Sequence, residues 1–337
     1  MGVKVSVIVP VFNNEKVLER CLKSIKNQTF TDIEVIVIND GSSDNSLQII
    51  EKFLIKDTRF KLRNQENKGV SESRNYGISI SKGDYILNVD SDDWIEDDYI
   101  EKMYCKAVNN NLDIIISDAI KHTYLNDIFI KDLDIADEKI ISGKEYLEIF
   151  FKENLNGFTW NKLVKRKLYN NISYPTDISL FEDLYVVSKL ANKARRIGKI
   201  NYPFYHYMES ENSLTKMLNI SKICDVYNVF IRLKSDFSED INIREYLCEQ
   251  EIYALLNTII NSRIQLENHE YRKKLRYLLS CIKNIDVNRT DFRYSKMKRL
   301  PYLGYRFLKL FPGIGFILLL VYLKKLVLIK RKVLKWM

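Results

Sequence analysis

The run Tyr85-Ile86-Leu87-Asn88-Val89 reads as a short buried strand, and it ends abruptly in three carboxylates, Asp90, Asp92 and Asp93, within four residues. Such a cluster repels itself. Carboxylates a few ångströms apart are tolerated when a cation sits between them, and a hard divalent ion such as Mg²⁺ or Mn²⁺ is the natural partner. Mg²⁺ commonly takes one or two protein carboxylates and leaves its other positions to water and substrate phosphates, so the spacing suggests a clamp for a metal and a diphosphate. The alternative is a solvated acidic turn that caps a helix starting near Ile95.

Whatever the turn does, the strand before it belongs to a series. Val3 to Pro10 is a β-branched strand stopped by proline, and Asn13-Asn14-Glu15 then offers a cap for a helix whose apolar face is Val17, Leu18, Cys21, Leu22 and Ile25. Ile33 to Asn39 is a second strand, followed by the polar turn Asp40-Gly41-Ser42-Ser43-Asp44 and a helix through Leu47, Ile50 and Phe53. A weaker strand, Phe60 to Leu62, precedes a polar loop over Asn64 to Gly69 and a helix around Ser71 to Ser81. After the acidic turn the pattern predicts a helix from Trp94 to Asn109, a strand from Leu112 to Ser117, a weakly patterned stretch over Lys121 to Lys139, and a capped amphipathic helix from Ser142 to Phe151. Leu180-Phe181-Glu182-Asp183 opens another helix to about Asn192, and Ser221 to Asn284 is mostly helical.

Strands alternating with helices in this way imply right-handed crossovers and an α/β fold, with a largely parallel sheet covered on both faces. In such sheets ligands collect outside the carboxyl ends of the strands. Asn13, Asp40 and Asp90 to Asp92 each follow a strand end, so they should meet on one rim. No Gly-x-Gly-x-x-Gly and no Gly-x-x-x-x-Gly-Lys-[Ser/Thr] follows any strand, which removes support for a dinucleotide fold or a P-loop. No Gly-x-Ser-x-Gly elbow supports a covalent serine mechanism.

Charge and cysteine content narrow the remaining classes. The overall +9 is a property of the C-terminal end: residues 289–337 hold thirteen Lys and Arg against the single acid Asp291, a net +12, so the first 288 residues carry −3. Nucleic-acid binding would want a basic face on the folded domain, whereas here the charge is interleaved with apolar runs. The five cysteines are scattered and contain no Cys-x-x-Cys, which argues against a disulfide framework or a zinc site and favours a reducing cytoplasm. No positively charged start followed by an apolar signal core precedes the strand at Val3, so no secretory signal is expected.

Four motifs now stand in order: Val7-Ile8-Val9-Pro10-Val11-Phe12-Asn13-Asn14-Glu15, Asn39-Asp40-Gly41-Ser42-Ser43-Asp44, Glu66-Asn67-Lys68-Gly69-Val70-Ser71-Glu72-Ser73-Arg74-Asn75-Tyr76-Gly77 and Asp90-Ser91-Asp92-Asp93. Together they resemble the family 2 glycosyltransferases, inverting enzymes of the GT-A fold that use nucleotide-diphosphate sugars. The resemblance covers roughly residues 3 to 215. It implies a nucleotide-sugar half over 1–105, an acceptor half over 106–215 and a helical extension over 216–300.

The resemblance also implies residue roles. Glu15 and Asp40 would accept hydrogen bonds from the base and ribose of the nucleotide, with uridine favoured because its N–H needs an acceptor. Pro10 and Asn13 fall in the same nucleotide-sugar set. Arg74 would steady the nucleotide or its diphosphate, with a surface ion pair to Glu72 or Asp84 as the alternative. Asp90 would face the ribose and a metal-bound water, and Asp92 would ligate Mn²⁺ or Mg²⁺. Asp183, in the Glu182-Asp183 pair, would be the base that deprotonates the acceptor hydroxyl, although adjacent acids at a helix start also serve simply to complement its dipole.

Trp160, in Trp160-Asn161-Lys162, would stack on a sugar or else lie in the core. His206, in Tyr205-His206-Tyr207-Met208, would be a metal or phosphate ligand or a structural group.

Two positions depart from the family pattern. Met208 stands where many relatives carry arginine, leaving Lys216 or His206 to meet the phosphate, and Asn39 stands where an aspartate is usual. The absence of a Gln-x-x-Arg-Trp element implies a non-processive enzyme that adds one sugar. Residues 301–337 alternate apolar and basic blocks, with the apolar run Gly313 to Leu323 too short to span a bilayer. They are expected to form a basic amphipathic tail on an anionic membrane surface, with a terminal helix docked on the core as the alternative. The expectation is a cytoplasmic enzyme, peripheral on the inner face of the membrane, acting on a lipid-linked or surface-polysaccharide glycan. A non-catalytic nucleotide-sugar-binding subunit and a nucleotidyltransferase are the competing classes.

Overall fold

The computed structural model describes residues 2–153, 157–209, 219–262 and 268–285. The 301–337 tail and Lys216 lie outside them. The chain divides into two units, one of Met1–Phe150, Leu155–Asp177 and Glu182–Ser210, the other of Phe151–Asn154, Ile178–Phe181 and Glu211–Met337.

The first unit opens with β1 (Val5–Val11), α1 (Leu18–Lys26), β2 (Ile33–Asp40), α2 (Ser46–Lys56), β3 (Phe60–Gln65), α3 (Val70–Ile80) and β4 (Tyr85–Asn88). β1 pairs in parallel with both β2 and β4, and β2 with β3. Every residue of β2 is buried, as expected of a strand with neighbours on both edges and helices on both faces. Helix α1 turns Leu18, Cys21, Leu22 and Ile25 inward, as its spacing predicts. Helix α3 packs closely on the sheet at Gly77. A Cβ at Gly77 would come within 2.6 Å of the Ile8 Cγ2 methyl, so the absent side chain lets this helix settle against β1.

The sheet continues through β5 (Trp94–Ile95), α4 (Tyr99–Asn109), β6 (Ile114–His122), β7 (Asp127–Ile130), α5 (Gly143–Lys152), β8 (Lys162–Lys165), α6 (Glu182–Lys193) and β9 (Ile197–Met208). The order is β3-β2-β1-β4-β8-β6-β9-β5, with β7 paired to β6. β8 runs antiparallel to β4 and β6, and β9 parallel to β6. The α/β class is therefore as expected, with a parallel half followed by a mixed half. Helix α5 begins with reciprocal capping: the Ser142 amide and hydroxyl donate to Glu145, and the Glu145 amide donates to Ser142 Oγ.

Several elements differ from the sequence reading: β1 runs through Pro10 to Val11, and β7 and β8 form where no strand is expected. The helix expected from Trp94 starts at Tyr99, because Trp94 and Ile95 pair instead with His206 and Tyr205. The long β9 was not anticipated, since Asn201 and Pro203 break its apolar pattern.

The second unit contains α7 (Ile220–Asp236), α8 (Ile241–Asn261) and α9 (His269–Asn284), packed through residues such as Val226, Phe230, Leu247, Leu255 and Leu278. Each helix is capped by an Asn or Asp side chain that accepts an amide at its first turn.

Candidate active site

The ends of β1 and β2 are laced together. Asn13 adopts a left-handed conformation (φ 51°), its Oδ1 accepts from the Ser43 amide (2.8 Å), and its own amide donates to Ser42 Oγ (3.1 Å). Glu15 Oε2 accepts from the amide and the side-chain nitrogen of Asn45 (2.9 and 2.6 Å), while the Glu15 amide donates to Asp44 (2.9 Å). Pro10 sits in β1 opposite Ile38. Asn39 accepts from the Ser42 amide (3.2 Å) and donates to Asn64 Oδ1 (3.1 Å). With asparagine in place of the usual aspartate, position 39 donates to Asn64 as well as accepting from Ser42.

Asp40 is buried and accepts three bonds, from Gln65 Nε2 (2.8 Å) and from the amides of Lys68 and Gly69 (2.9 and 2.8 Å). Its carboxylate therefore fixes the turn that launches α3. The neighbouring Gly41 (φ +74°) is closely confined, since a Cβ there would lie 2.7 Å from the Asn67 amide nitrogen.

The acidic turn after β4 is anchored by its last member. Asp93 is fully buried and accepts from the Tyr205 hydroxyl (2.7 Å) and the Met208 amide (2.8 Å). Burial, reinforced by Asp92 and Asp90, holds its carboxyl well above the usual range. The Asp90 amide donates to the Tyr205 hydroxyl (3.1 Å), and Arg20 Nη2 donates to the Asp92 carbonyl (2.6 Å). Met208 thus contributes through its backbone. Neither Asp93 nor Tyr205 was assigned a role from the sequence, although Asp93 lies inside the motif.

Arg74 does not form the surface ion pair with Glu72 or Asp84 that the sequence left open. Its side chain is only 5% exposed, with Nη2 donating to Asp90 Oδ1 (2.9 Å) and Nη1 to Asp183 Oδ1 (2.8 Å), and Glu182 Oε1 at 3.5 Å. One guanidinium therefore links the turn after β4 to the first turn of α6. Asn75 beside it exchanges bonds with the backbone of Tyr174 (2.7 and 2.8 Å), and Tyr174 in turn accepts from Asn88 (3.2 Å). The Asp183 carboxyl is raised because burial and Asp90 outweigh Arg74. Glu182 is pushed up to about 7 by burial and by Asp183.

Burial, then Asp90, pushes Asp92 up to about 6. A carboxylate so placed gains from a cation. Among the described residues no group of three or more His, Cys, Asp or Glu side chains is arranged to hold a metal by itself. The donor set suits Mg²⁺ or Mn²⁺ only if substrate oxygens and water complete the shell, which is how such ions bind diphosphates.

Two expected site residues are placed elsewhere. Trp160 is 2% exposed and stacks on Tyr205 (4.3 Å), Phe158 (4.7 Å) and Tyr207 (5.8 Å), so its indole is a core element with no face left for a sugar. His206 has both ring nitrogens engaged, Nε2 with Glu96 (2.7 Å) and Nδ1 with His122 (2.9 Å), so no lone pair is directed at a metal beside Asp92. Asn161 and Lys162 are likewise committed, both to the buried Asp132 (3.0 and 2.6 Å).

The profile described as glycosyl transferase family 2 matches residues 6–173. The "putative glycosyltransferase EpsH" of Bacillus subtilis (strain 168) is 31% identical over 289 residues, covering 84% of this chain and 82% of that one. The chain belongs to glycosyl transferase family 2. This glycosyltransferase is also 30% identical over 316 residues to the cholesterol galactosyltransferase of Borreliella burgdorferi, with 87% of each chain covered. Among solved structures, S. aureus TarS 1–349 in complex with UDP-GlcNAc matches with a TM-score of 0.65 at 19% identity, over 91% of this chain and 87% of that one. The glycosyltransferase therefore shares the GT-A fold of TarS.

Proposed function

We propose that this glycosyltransferase moves one sugar from a nucleotide-diphosphate sugar, a UDP-sugar by preference, onto a lipid-linked or surface-polysaccharide acceptor, with inversion at the anomeric carbon. The observation that carries the reading is the shared guanidinium of Arg74, which puts Asp90 and Asp183 within hydrogen-bond reach of a single cation. The uridine preference draws on TarS, whose solved complex contains UDP-GlcNAc.

In this reading the acceptor hydroxyl gives its proton to Asp183 while its oxygen bonds to the anomeric carbon. The bond from that carbon to the diphosphate breaks on the opposite face, and the nucleoside diphosphate leaves with the electron pair. Burial and Asp90 raise the Asp183 carboxyl, which strengthens it as a proton acceptor, and the bond from Arg74 opposes that rise by favouring the carboxylate. Mn²⁺ or Mg²⁺ beside Asp92 would neutralise charge on the leaving diphosphate. Pro10 and Asn13 shape the nucleotide rim, and Glu15 and Asp40 offer their remaining acceptor positions to uracil and ribose.

Among the described residues no helix is long and apolar enough to cross a membrane. The proposed attachment to an anionic membrane surface, which would bring a lipid-linked acceptor within reach, rests on the sequence of residues 301–337 alone.

The test is a panel of nucleotide sugars with and without Mn²⁺, read by nucleoside-diphosphate release and by NMR of the product's anomeric configuration. Metal-dependent release with inversion is expected, together with loss of transfer but retention of UDP binding in Asp183→Asn. Full-rate transfer by that variant, or retention of configuration, would overturn the mechanism.

A further inference from the structure

Beside the acidic turn lies a polar chain that the reaction as described does not use. Glu96 Oε1 meets His206 Nε2 at 2.7 Å, His206 Nδ1 meets His122 Nε2 at 2.9 Å, and His122 Nδ1 meets Asp127 Oδ1 at 2.8 Å. The four groups come from four places: the residue after β5, then β9, β6 and β7. Both imidazoles stack on the indole of Trp94, His206 at 4.7 Å and 4° and His122 at 4.6 Å and 23°. The Arg20 guanidinium lies 3.9 Å from the same indole and donates to the carbonyl of Asp92.

We propose that His122, backed by Asp127, is a positioning residue for Asp92. It acts through His206 and Trp94 and fixes the turn on which the metal and diphosphate are held.

The chemistry of the chain supports this. Each outer ring nitrogen faces a carboxylate and so donates to it, while the inner bond needs one donor and one acceptor. A single proton therefore lies between the two inner nitrogens. Two lone pairs, or two N–H groups, facing each other at that distance would push the rings apart. With Asp127 on the β7 side and Glu96 on the β5 side, the rings are locked edge to edge against the indole. Trp94 stands two residues from Asp92, so a ring that rotates or leaves releases the flank of the turn. Groups that orient a metal's ligand from behind in this way commonly matter nearly as much as the ligand itself.

The inference rests on Asp92 meeting the metal, as proposed above, and the experiment separates the two ideas. The chain has three histidines, His122, His206 and the exposed His269, so ¹⁵N-histidine labelling of the full protein gives a readable ring spectrum. A downfield ring proton coupled to nitrogens of two different imidazoles is expected, absent in His122→Phe, with the His269 signals unchanged as an internal reference. The Mn²⁺ concentration for half-maximal transfer should rise on the order of tenfold in His122→Phe, with kcat at saturating Mn²⁺ largely kept. His122→Gln, which retains a donor for His206, should recover much of that loss.

A wild-type enzyme with no metal requirement would refute the Asp92 reading and the positioning role with it, while leaving the shared proton to the NMR result. A metal-dependent wild type whose His122→Phe variant has an unchanged Mn²⁺ requirement would overturn the positioning role alone. Should His122→Phe fail to fold, the wild-type spectrum and His122→Gln decide the matter: no coupled proton, or a Gln variant as impaired as an Asp127→Ala, His122→Gln double variant, would overturn it.

Discussion

Replacing Arg74 with methionine removes the cation between Asp90 and Asp183 while keeping most of the side chain's apolar length. The guanidinium is 5% exposed, and its two carboxylate partners are 26% and 19% exposed, so neither acid can turn freely into water. Breaking a buried pair by removing one partner costs about 3–5 kcal/mol, and the residual exposure here favours the lower end. At about 3 kcal/mol the melting transition of a unit this size should fall by about 6–12 °C near pH 7.5.

The loss should shrink in acid. Asp183 and Glu182 already hold protons more tightly folded than at their ordinary values of 3.8 and 4.5, with Glu182 at about 7. A raised folded value means that stability is full below the ordinary value and falls as pH climbs through the folded one. Without Arg74 both carboxyls shift higher still, so the gap between parent and variant should be widest above pH 7 and narrow toward pH 5. Arg74→Lys keeps the charge but offers one nitrogen where two were used, and should show about half the deficit. The assay is thermal denaturation followed by tryptophan emission, since Trp94 and Trp160 both lie in the sheet unit. An equal gap at pH 5 and pH 7.5 would show that the side chain contributes packing alone, and would refute the charge argument.

Asp92→Asn should abolish metal-stimulated transfer yet raise stability at pH 7.5 by on the order of 1–3 kcal/mol, because it removes a carboxyl pushed up to about 6 whose ionisation opposes folding; comparing melting at pH 5 and 7.5 checks this, and the gain should fade in acid. Trp160→Ala should cost about 3–5 kcal/mol through the cavity left among Tyr205, Phe158 and Tyr207, while the donor KM of the folded fraction stays unchanged; a selective rise in KM would restore a sugar-binding role. Asp40→Ala strips three donors of their acceptor, and limited proteolysis should then cut between residues 65 and 70 faster than in the parent.

Much of the parallel half was legible because β1, β2 and β4 are runs of mostly β-branched or apolar residues, with Asn13, Asp40 and Asp90 at or within two positions of their ends. That pattern needs no tertiary information. The Trp94 region was misread for the opposite reason. Two apolar residues followed by Glu96, Asp97 and Asp98 look like the start of a helix, and only pairing with a distant strand makes them β5. Arg74 was found as a motif residue, but its partners lie 16 and 109 positions away, and no local periodicity reports what a helix face will meet. The Trp-Asn-Lys element misled because an indole's surface suits a sugar and a core equally well, and burial decides between them.

Five carboxyls at the rim, Asp90, Asp92, Asp93, Glu182 and Asp183, come from two short segments, and for four of them burial or mutual repulsion resists ionisation. A chain selected for stability alone would spread or neutralise them. The three in the turn after β4 are nevertheless distinguished by their partners. Asp93 accepts from the Tyr205 hydroxyl and the Met208 amide, Asp90 is paired with Arg74, and Asp92 accepts from no other side chain among the described residues. Position in the turn cannot explain that difference, since all three follow the same strand. It follows from which neighbouring strand or helix supplies a donor, and it leaves the least satisfied acid where an incoming cation would bring the greatest relief.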